Sequence, residues 1–241
     1  MDPLTISAAA GLRAGMDSLE MLANNIANGS AGGYKADREF YSLYVAAEAS
    51  QPAPDTLPVI ERPWVDFSQA QLRPTGSPLD FALAGKGFFG VSGPQGTLYT
   101  RDGNFRVSRD GVLVTAQGYA VRGSGGAPLA VSRRQTVDVG PDGVVRQAGQ
   151  EVGRLEVVDF SDLSALGKQG HSYFKLTGTT GKPFAASGTT VEQGQLENSN
   201  VSPAEAAVRL IDMMRQFEML QKTIGIGAEM NRKAIEEVAR V

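Results

Sequence analysis

The chain has 241 residues, 41% of them hydrophobic and 20% charged, with one His, no Cys and a net charge of −3. That composition excludes disulfides, thiolate catalysis and cysteine-type zinc sites, and it offers no basic field for nucleic acid or anionic membrane. No basic-then-apolar leader and no run of 18 apolar residues is present, so neither a cleaved secretory signal nor a membrane span is expected.

The first predicted element is a helix over Leu4–Asn28. Asp2 can cap it and Pro3 suits a first helical position. Thr5, Ala8, Leu12, Gly15, Leu19, Leu22 and Ile26 recur at alternating steps of three and four, beside a row at sevens, Ala9, Met16 and Ala23. This is a heptad seam widened on one side. Small residues from Ala8 to Gly15 would let a second helix come close. Gly29 is expected as the left-handed residue that ends the helix.

Residues 31–64 read as a connector. Tyr34, Phe40, Tyr41 and Tyr44 fall among Lys35, Arg38 and Glu39, and Pro52, Pro54, Pro58 and Pro63 make the later part extended or irregular. From 65 to 201 the pattern is β: short apolar or alternating runs divided by glycine turns. Gly93–Gly96, Arg101–Asn104, Asp110-Gly111 and Asp142-Gly143 read as hairpin turns, and strands are expected at Phe88–Val91, Thr97–Thr100, Phe105–Val107, Val112–Val114, Val144-Val145, Gly153–Phe160 and Tyr173–Leu176. Turns at this spacing imply an antiparallel meander or small barrel, with Leu79, Phe81, Phe88 and Phe89 in its core.

The tail is one long helix. Ser202 is a natural N-cap, Pro203 takes the first helical position, and Glu205 complements the helix dipole. Ala207, Leu210, Met214, Phe217, Ile224, Ala228, Ile235 and Val238 follow steps of three and four, with Gln221 and Asn231 in the two skipped slots. A second row runs at sevens: Ala206, Met213, Leu220, Gly227 and Ala234. An apolar face this wide calls for more than one neighbour. The fold class is therefore α+β: terminal helices paired as a coiled-coil domain (1–30 with 202–241), and an inserted all-β domain (65–201). Two helices cannot bury so broad a face, so they are expected to be loose in the free subunit and to order on assembly.

Catalytic chemistry finds few parts. His171 stands alone, without a nucleophile motif or partners for a metal site. The Asp-Gly pairs lack calcium-loop spacing, and Gly85-Lys86-Gly87 lacks the phosphate-loop frame. No enzymatic activity, cofactor, metal or small-molecule substrate is expected.

Four stretches, in order, carry a family resemblance: Leu22–Asn28 with Gly33-Tyr34-Lys35; Pro78–Leu83 with Gly85–Phe89; Tyr99–Phe105; and Gly194–Val201 followed by the tail helix. Together they resemble bacterial flagellar rod and hook axial proteins. Ala31 stands where the family usually has Thr. Within that family, Arg215–Met219 looks most like the rod subunit at the proximal-to-distal junction. The resemblance implies that the terminal helices pair antiparallel and line a tube, with the β domain outside. It implies export by the flagellar type III apparatus without a cleaved signal, residence in the periplasmic part of the basal body, and copies of itself and other rod and hook subunits as partners. It also implies polymerisation into a hollow drive shaft through heterologous contacts. The expected assembly residues are Leu12, Leu19, Leu22, Asn24, Asn25, Ile26, Asn28, Leu210, Met214, Phe217, Gln221, Ile224, Asn231 and Ile235. Asn24, Asn25 and Asn28 either terminate the helix or set axial register between subunits, as Gln221 and Asn231 would. Two other classes stay open: a self-associating β-domain scaffold or adhesin with a coiled-coil stalk, and a carbohydrate-active enzyme with paired carboxylates, for which no pair can be singled out.

Overall fold

The computed structural model describes residues 3–39, 41–45, 56–60, 63–170, 172–178 and 181–238. It is α+β, with two long helices and short strands that pair antiparallel. His171, Phe40, Pro52 and Pro54 lie outside the described residues, as does the side chain of Asn231. The chain divides into two compact units: Met1–Ala27, Asp37–Val65 and Ser202–Val241 in one, Asn28–Ala36 and Asp66–Val201 in the other.

The first unit holds helix α1, Pro3–Ala27, and helix α2, Pro203–Val238. Ser202 caps α2: its hydroxyl accepts from the Glu205 amide and its carbonyl from the Ala206 amide at 3.0 Å. Two strand pairs complete the unit, Asp37–Arg38 with Trp64–Val65 and Tyr41–Val45 with Thr56–Ile60. Pro58 sits within the last of these strands, opposite Leu43. A two-stranded ribbon leaves one edge of each strand unpaired, and there a missing N–H does no harm. The left-handed glycine that follows α1 is Gly33, at φ 62°, rather than Gly29.

The second unit is β. Its largest sheet centres on Phe88–Gly93, which pairs with Gly96–Thr100, Ala120–Val121 and Val157–Asp159. Alternation along Phe88–Gly93 divides the interior in two. Phe89 and Val91 enter a cluster with Phe81, Leu83, Phe105, Leu113, Val145 and Val191. Phe88 points the other way, into an aromatic cluster with Phe67, Phe160 and Phe174 at ring separations of 5.5, 6.0 and 5.7 Å. Leu79 packs partly buried against the first cluster.

Three expected hairpins form. Gly93 opposes Gly96, Phe105–Val107 pairs with Leu113–Thr115 around Asp110-Gly111, and Asp138–Val139 pairs with Val144–Gln147 around Asp142-Gly143. The fourth does not. Gly96–Thr100 pairs with Phe88–Gly93 and Tyr173–Leu176, not with Phe105–Val107, so Arg101–Asn104 is a crossing segment. Its course is set by long-range bonds. Gly103 O accepts from the Phe81 amide at 3.0 Å, and the Asn104 side-chain amide donates to Asp80 at 2.9 Å. The run Gly153–Phe160 is likewise two strands, Gln150–Arg154 and Val157–Asp159, in different sheets. The stretch after Asp162 forms a 3₁₀ turn, Leu163–Ala165, capped by the Asp162 carboxylate, which accepts from Ser164 N and Oγ. Those bonds hold Asp162 below the usual carboxylate range.

Tyr173 gives the β unit a pH signature. Its hydroxyl donates to Gln117 at 2.5 Å and its ring meets Tyr119 edge-on at 5.2 Å. Burial pushes the phenol up from 10.0 to about 12. The folded state thus holds this proton more tightly than the unfolded chain. Its contribution is fully present below pH 10 and is lost as pH rises from 10 toward 12. Tyr173→Phe is expected to lose about 1 kcal/mol near neutral pH through the missing hydrogen bond. That deficit should shrink, then reverse, as the pH is raised above about 10 in urea unfolding experiments.

Candidate assembly interface

The two helices meet through small residues on α1. A methyl added at Gly15 would lie 3.2 Å from the Phe217 ring, and one at Gly11 3.5 Å from Leu220. The numbering rises along one helix as it falls along the other, so they run in opposite directions. On α2 the inward positions are Ala206, Leu210, Met213, Phe217, Leu220, Ile224 and Gly227, all buried or half-buried. These are steps of four and three, a seam drawn alternately from both rows read in the sequence. Among the described side chains of α1 the buried ones are Ala14, Ser18, Leu22 and Asn25.

The expected assembly residues therefore separate into two sets. Leu22, Leu210, Phe217 and Ile224 face inward, with Leu12 and Leu19 half-buried. Asn24, Ile26, Met214, Gln221 and Ile235 are exposed, and Asn28 is half-buried. Asn25 is turned inward: its amide donates to Asp37 O at 2.8 Å and its carbonyl oxygen accepts from Asp37 N at 2.9 Å. That two-way bond clips the strand at Asp37 to the last turn of α1. Ser18 donates to Glu39 on the same face.

α2 also carries large apolar side chains away from that seam. Val208, Ile211, Met219, Ile226 and Met230 are each between 52% and 66% exposed. At 100° per residue they fall within about a third of the helix circumference, opposite the inward seam. Asp212, Arg215, Lys222, Glu229 and Lys233 share the same arc, so the face mixes large apolar and charged side chains.

The β unit holds a charged constellation that sequence reading missed. Lys35 and Glu197 have no side-chain exposure and bond at 2.6 Å, while Arg101 Nη1 reaches the other Glu197 oxygen at 3.2 Å. Lys35 also donates to Ser68 O, and the Ala70 amide to Glu197. Arg101 donates further to Gly85 O at 2.7 Å and lies over the Phe88 ring at 5.4 Å. Burial lowers both Lys35 and Arg101, and Glu197 opposes the shift in each. Nearby, Asn200 accepts from Ala36 N and donates to Asp66 O, both at 2.7 Å. It thus ties chain segments together, and capping of α2 falls to Ser202. The signal for these residues was in plain view: Lys35, Arg101 and Glu197 each sit inside a different one of the family-like stretches, and the fold brings those stretches together.

Two long terminal helices, an antiparallel β unit inserted between them in sequence, and large apolar side chains exposed on one helix define an α+β class of subunit. The comparisons make it specific. A family described as the flagellar hook protein FlgE/F/G D1 domain matches residues 82–147, and one described as the flagellar basal body rod FlgEFG protein C-terminal matches 192–237. The flagellar basal-body rod protein FlgF of Caulobacter vibrioides is 35% identical over 92% of this chain and 92% of its own. FlgF of Mesorhizobium japonicum is 30% identical over 83% of each chain. FlgG of Buchnera aphidicola from Schizaphis graminum is 31% identical over 92% of this chain and 95% of its own. The chain belongs to the flagellar basal-body rod protein family and is a structural subunit of the rod.

Proposed function

We propose that this rod subunit polymerises into the hollow axial shaft through its terminal helices, which act as an antiparallel coiled-coil pair. In this reading the coiled-coil domain is 1–30 with 202–241, 31–64 connects it, and the β domain, 65–201, forms the outer layer. The partners are copies of itself, neighbouring rod and hook subunits, and the flagellar type III export apparatus. The location is the periplasmic part of the basal body. Within the family we read the chain as the subunit of the proximal-to-distal junction, supported by Arg215–Met219. Of the expected assembly residues, the inward Leu22, Leu210, Phe217 and Ile224 hold the helix pair. Asn24, Ile26, Met214, Gln221 and Ile235 meet neighbours, and Gln221 and Asn231 set register.

The observation that carries this reading is the set of five large apolar side chains, interspersed with charges, that α2 leaves exposed on the side away from α1. A test replaces Met219 and Ile226 together by Glu. The purified variant should keep its helical circular dichroism, because neither side chain faces α1, while cells carrying it should lose soft-agar swimming and lack complete rods. Normal rods and swimming would sink the proposal. A discrete closed oligomer of the purified wild type in sedimentation would instead favour the scaffold or adhesin reading.

A further inference from the structure

The strand Phe81–Ala84 is the most deeply placed element of the β unit: Phe81, Ala82 and Leu83 have no exposed surface. Among the described residues its strand partner is Thr190–Gln193, at the far end of the unit's sequence. The arrangement repeats beside it. Leu72–Pro74 pairs with Gln195–Glu197, and the Thr75 and Gly76 amides both donate to Gly194 O. Gln193 donates to Pro78 O and Val137 O and accepts from Val139 N. Further on, Gly33 N donates to Glu197 O at 2.8 Å, and Asn200 N to Tyr34 O at 3.2 Å. The Glu197 carboxylate faces the two buried cations, Lys35 and Arg101.

Remove residues 190–201 and three deficits appear at once. The core strand loses its ladder while its side chains stay in the interior. Two buried cations lose the carboxylate they bond to. The segments 33–36 and 72–76 lose the backbone they bond to. By contrast, Phe88–Gly93 with Gly96–Thr100 and Phe105–Val107 with Leu113–Thr115 are local hairpins that need nothing downstream to pair.

We infer that residues 190–201 are a closing segment on which the fold of the β unit is conditional, so that the unit stays unfolded until the chain is available through Val201. A chain delivered from its N-terminus thus carries hairpins but no closed core until its last strands arrive. The inference rests on the topology of the β unit alone, so its failure would leave the rod reading untouched.

Pulse-labelled hydrogen exchange during refolding of the full-length chain tests it. The amides of Ala82 and Ala84, which face Glu192 and Thr190 in the ladder, should gain protection in the same phase as those of Thr190–Glu197 and Gly33, and no earlier. Protection of Ala82 and Ala84 in a distinctly faster phase would overturn the inference. Two variants sharpen the reading. Glu197→Gln should slow that shared phase by about tenfold, because Glu197 joins the segments as they close. Glu156→Gln, in the half-exposed pair with Arg122, should change it less than about twofold. Equal effects of the two variants would also overturn it. Should E197Q fail to reach the native state, the order of protection in the wild type is decisive by itself.

Discussion

Glu197→Ala is expected to destabilise the β unit by about 3–5 kcal/mol, enough to leave much of it unfolded at 37 °C. The carboxylate accepts from Lys35 at 2.6 Å, from Arg101 at 3.2 Å and from the Ala70 amide at 2.9 Å, with no exposed surface of its own. Truncation leaves two buried cations held only by the carbonyl oxygens of Ser68, Leu83 and Gly85, without the counter-charge, and leaves the Ala70 amide without its acceptor. The ion pair itself is not the source of so large an effect, since desolvation offsets most of its attraction. The loss comes from breaking it on one side. Replacing the exposed Arg154, 3.6 Å from Asp142, is expected to cost less than about 1 kcal/mol. Urea unfolding followed by tyrosine fluorescence gives both numbers. A loss below about 1 kcal/mol for Glu197→Ala would show that water reaches the cations and that the site is not dry.

Gly103→Ala is expected to be as severe, by a different route. A Cβ at this position would lie 1.8 Å from the Phe81 carbonyl oxygen and 3.2 Å from Phe81 Cα. Neither atom belongs to a flexible side chain, so the crossing segment must move off the strand Phe81–Ala84. The bond from the Phe81 amide to Gly103 O goes with it. The expected loss exceeds about 4 kcal/mol, the range reserved for backbone clashes and broken cores. Gly125 is the matched control: nothing lies within 4 Å of its added Cβ, and Gly125→Ala should stay within about 0.5 kcal/mol. Thermal melts of the two variants under identical conditions decide it. Near-equal melting temperatures would mean that the Arg101–Asn104 crossing is not held where the structure puts it.

Both helices were legible in the sequence because their signals are local. Ser202, Pro203 and Glu205 mark the start of α2, and no proline interrupts it. The face each helix buries was less legible. Two adjacent rows on α2 are equally apolar, and periodicity alone does not say which turns inward. The observed seam takes Leu210, Phe217 and Ile224 from one and Ala206, Met213, Leu220 and Gly227 from the other. Met214 and Ile235, read as part of one stripe with them, are exposed. Hairpins closed by Asp110-Gly111 and Asp142-Gly143 could be read for the same local reason. Arg101–Asn104 could not. It has the composition of a turn, but Arg101 is drawn to Glu197 and Gly103 to Phe81, partners that only the folded chain brings near. Asn25 and Asn200 teach a related lesson. Both look like helix-end residues, and both use their amides to join segments distant in sequence.

The path of the β unit's own ends has one more consequence. After Gly33–Ala36 the chain runs through 37–65 in the other unit and returns at Asp66, and there the Asp66 carbonyl accepts from the side chain of Asn200, where the chain goes out. What lies between is a loop whose ends are already joined, so its size does not alter where the chain begins or finishes it. The hairpin tip at Ala148-Gly149, where Ala148 holds φ 49°, is a place where extra sequence would be tolerated. Such a unit can enlarge or shrink over evolutionary time, or accept a reporter, while the stretches at either end keep their spacing.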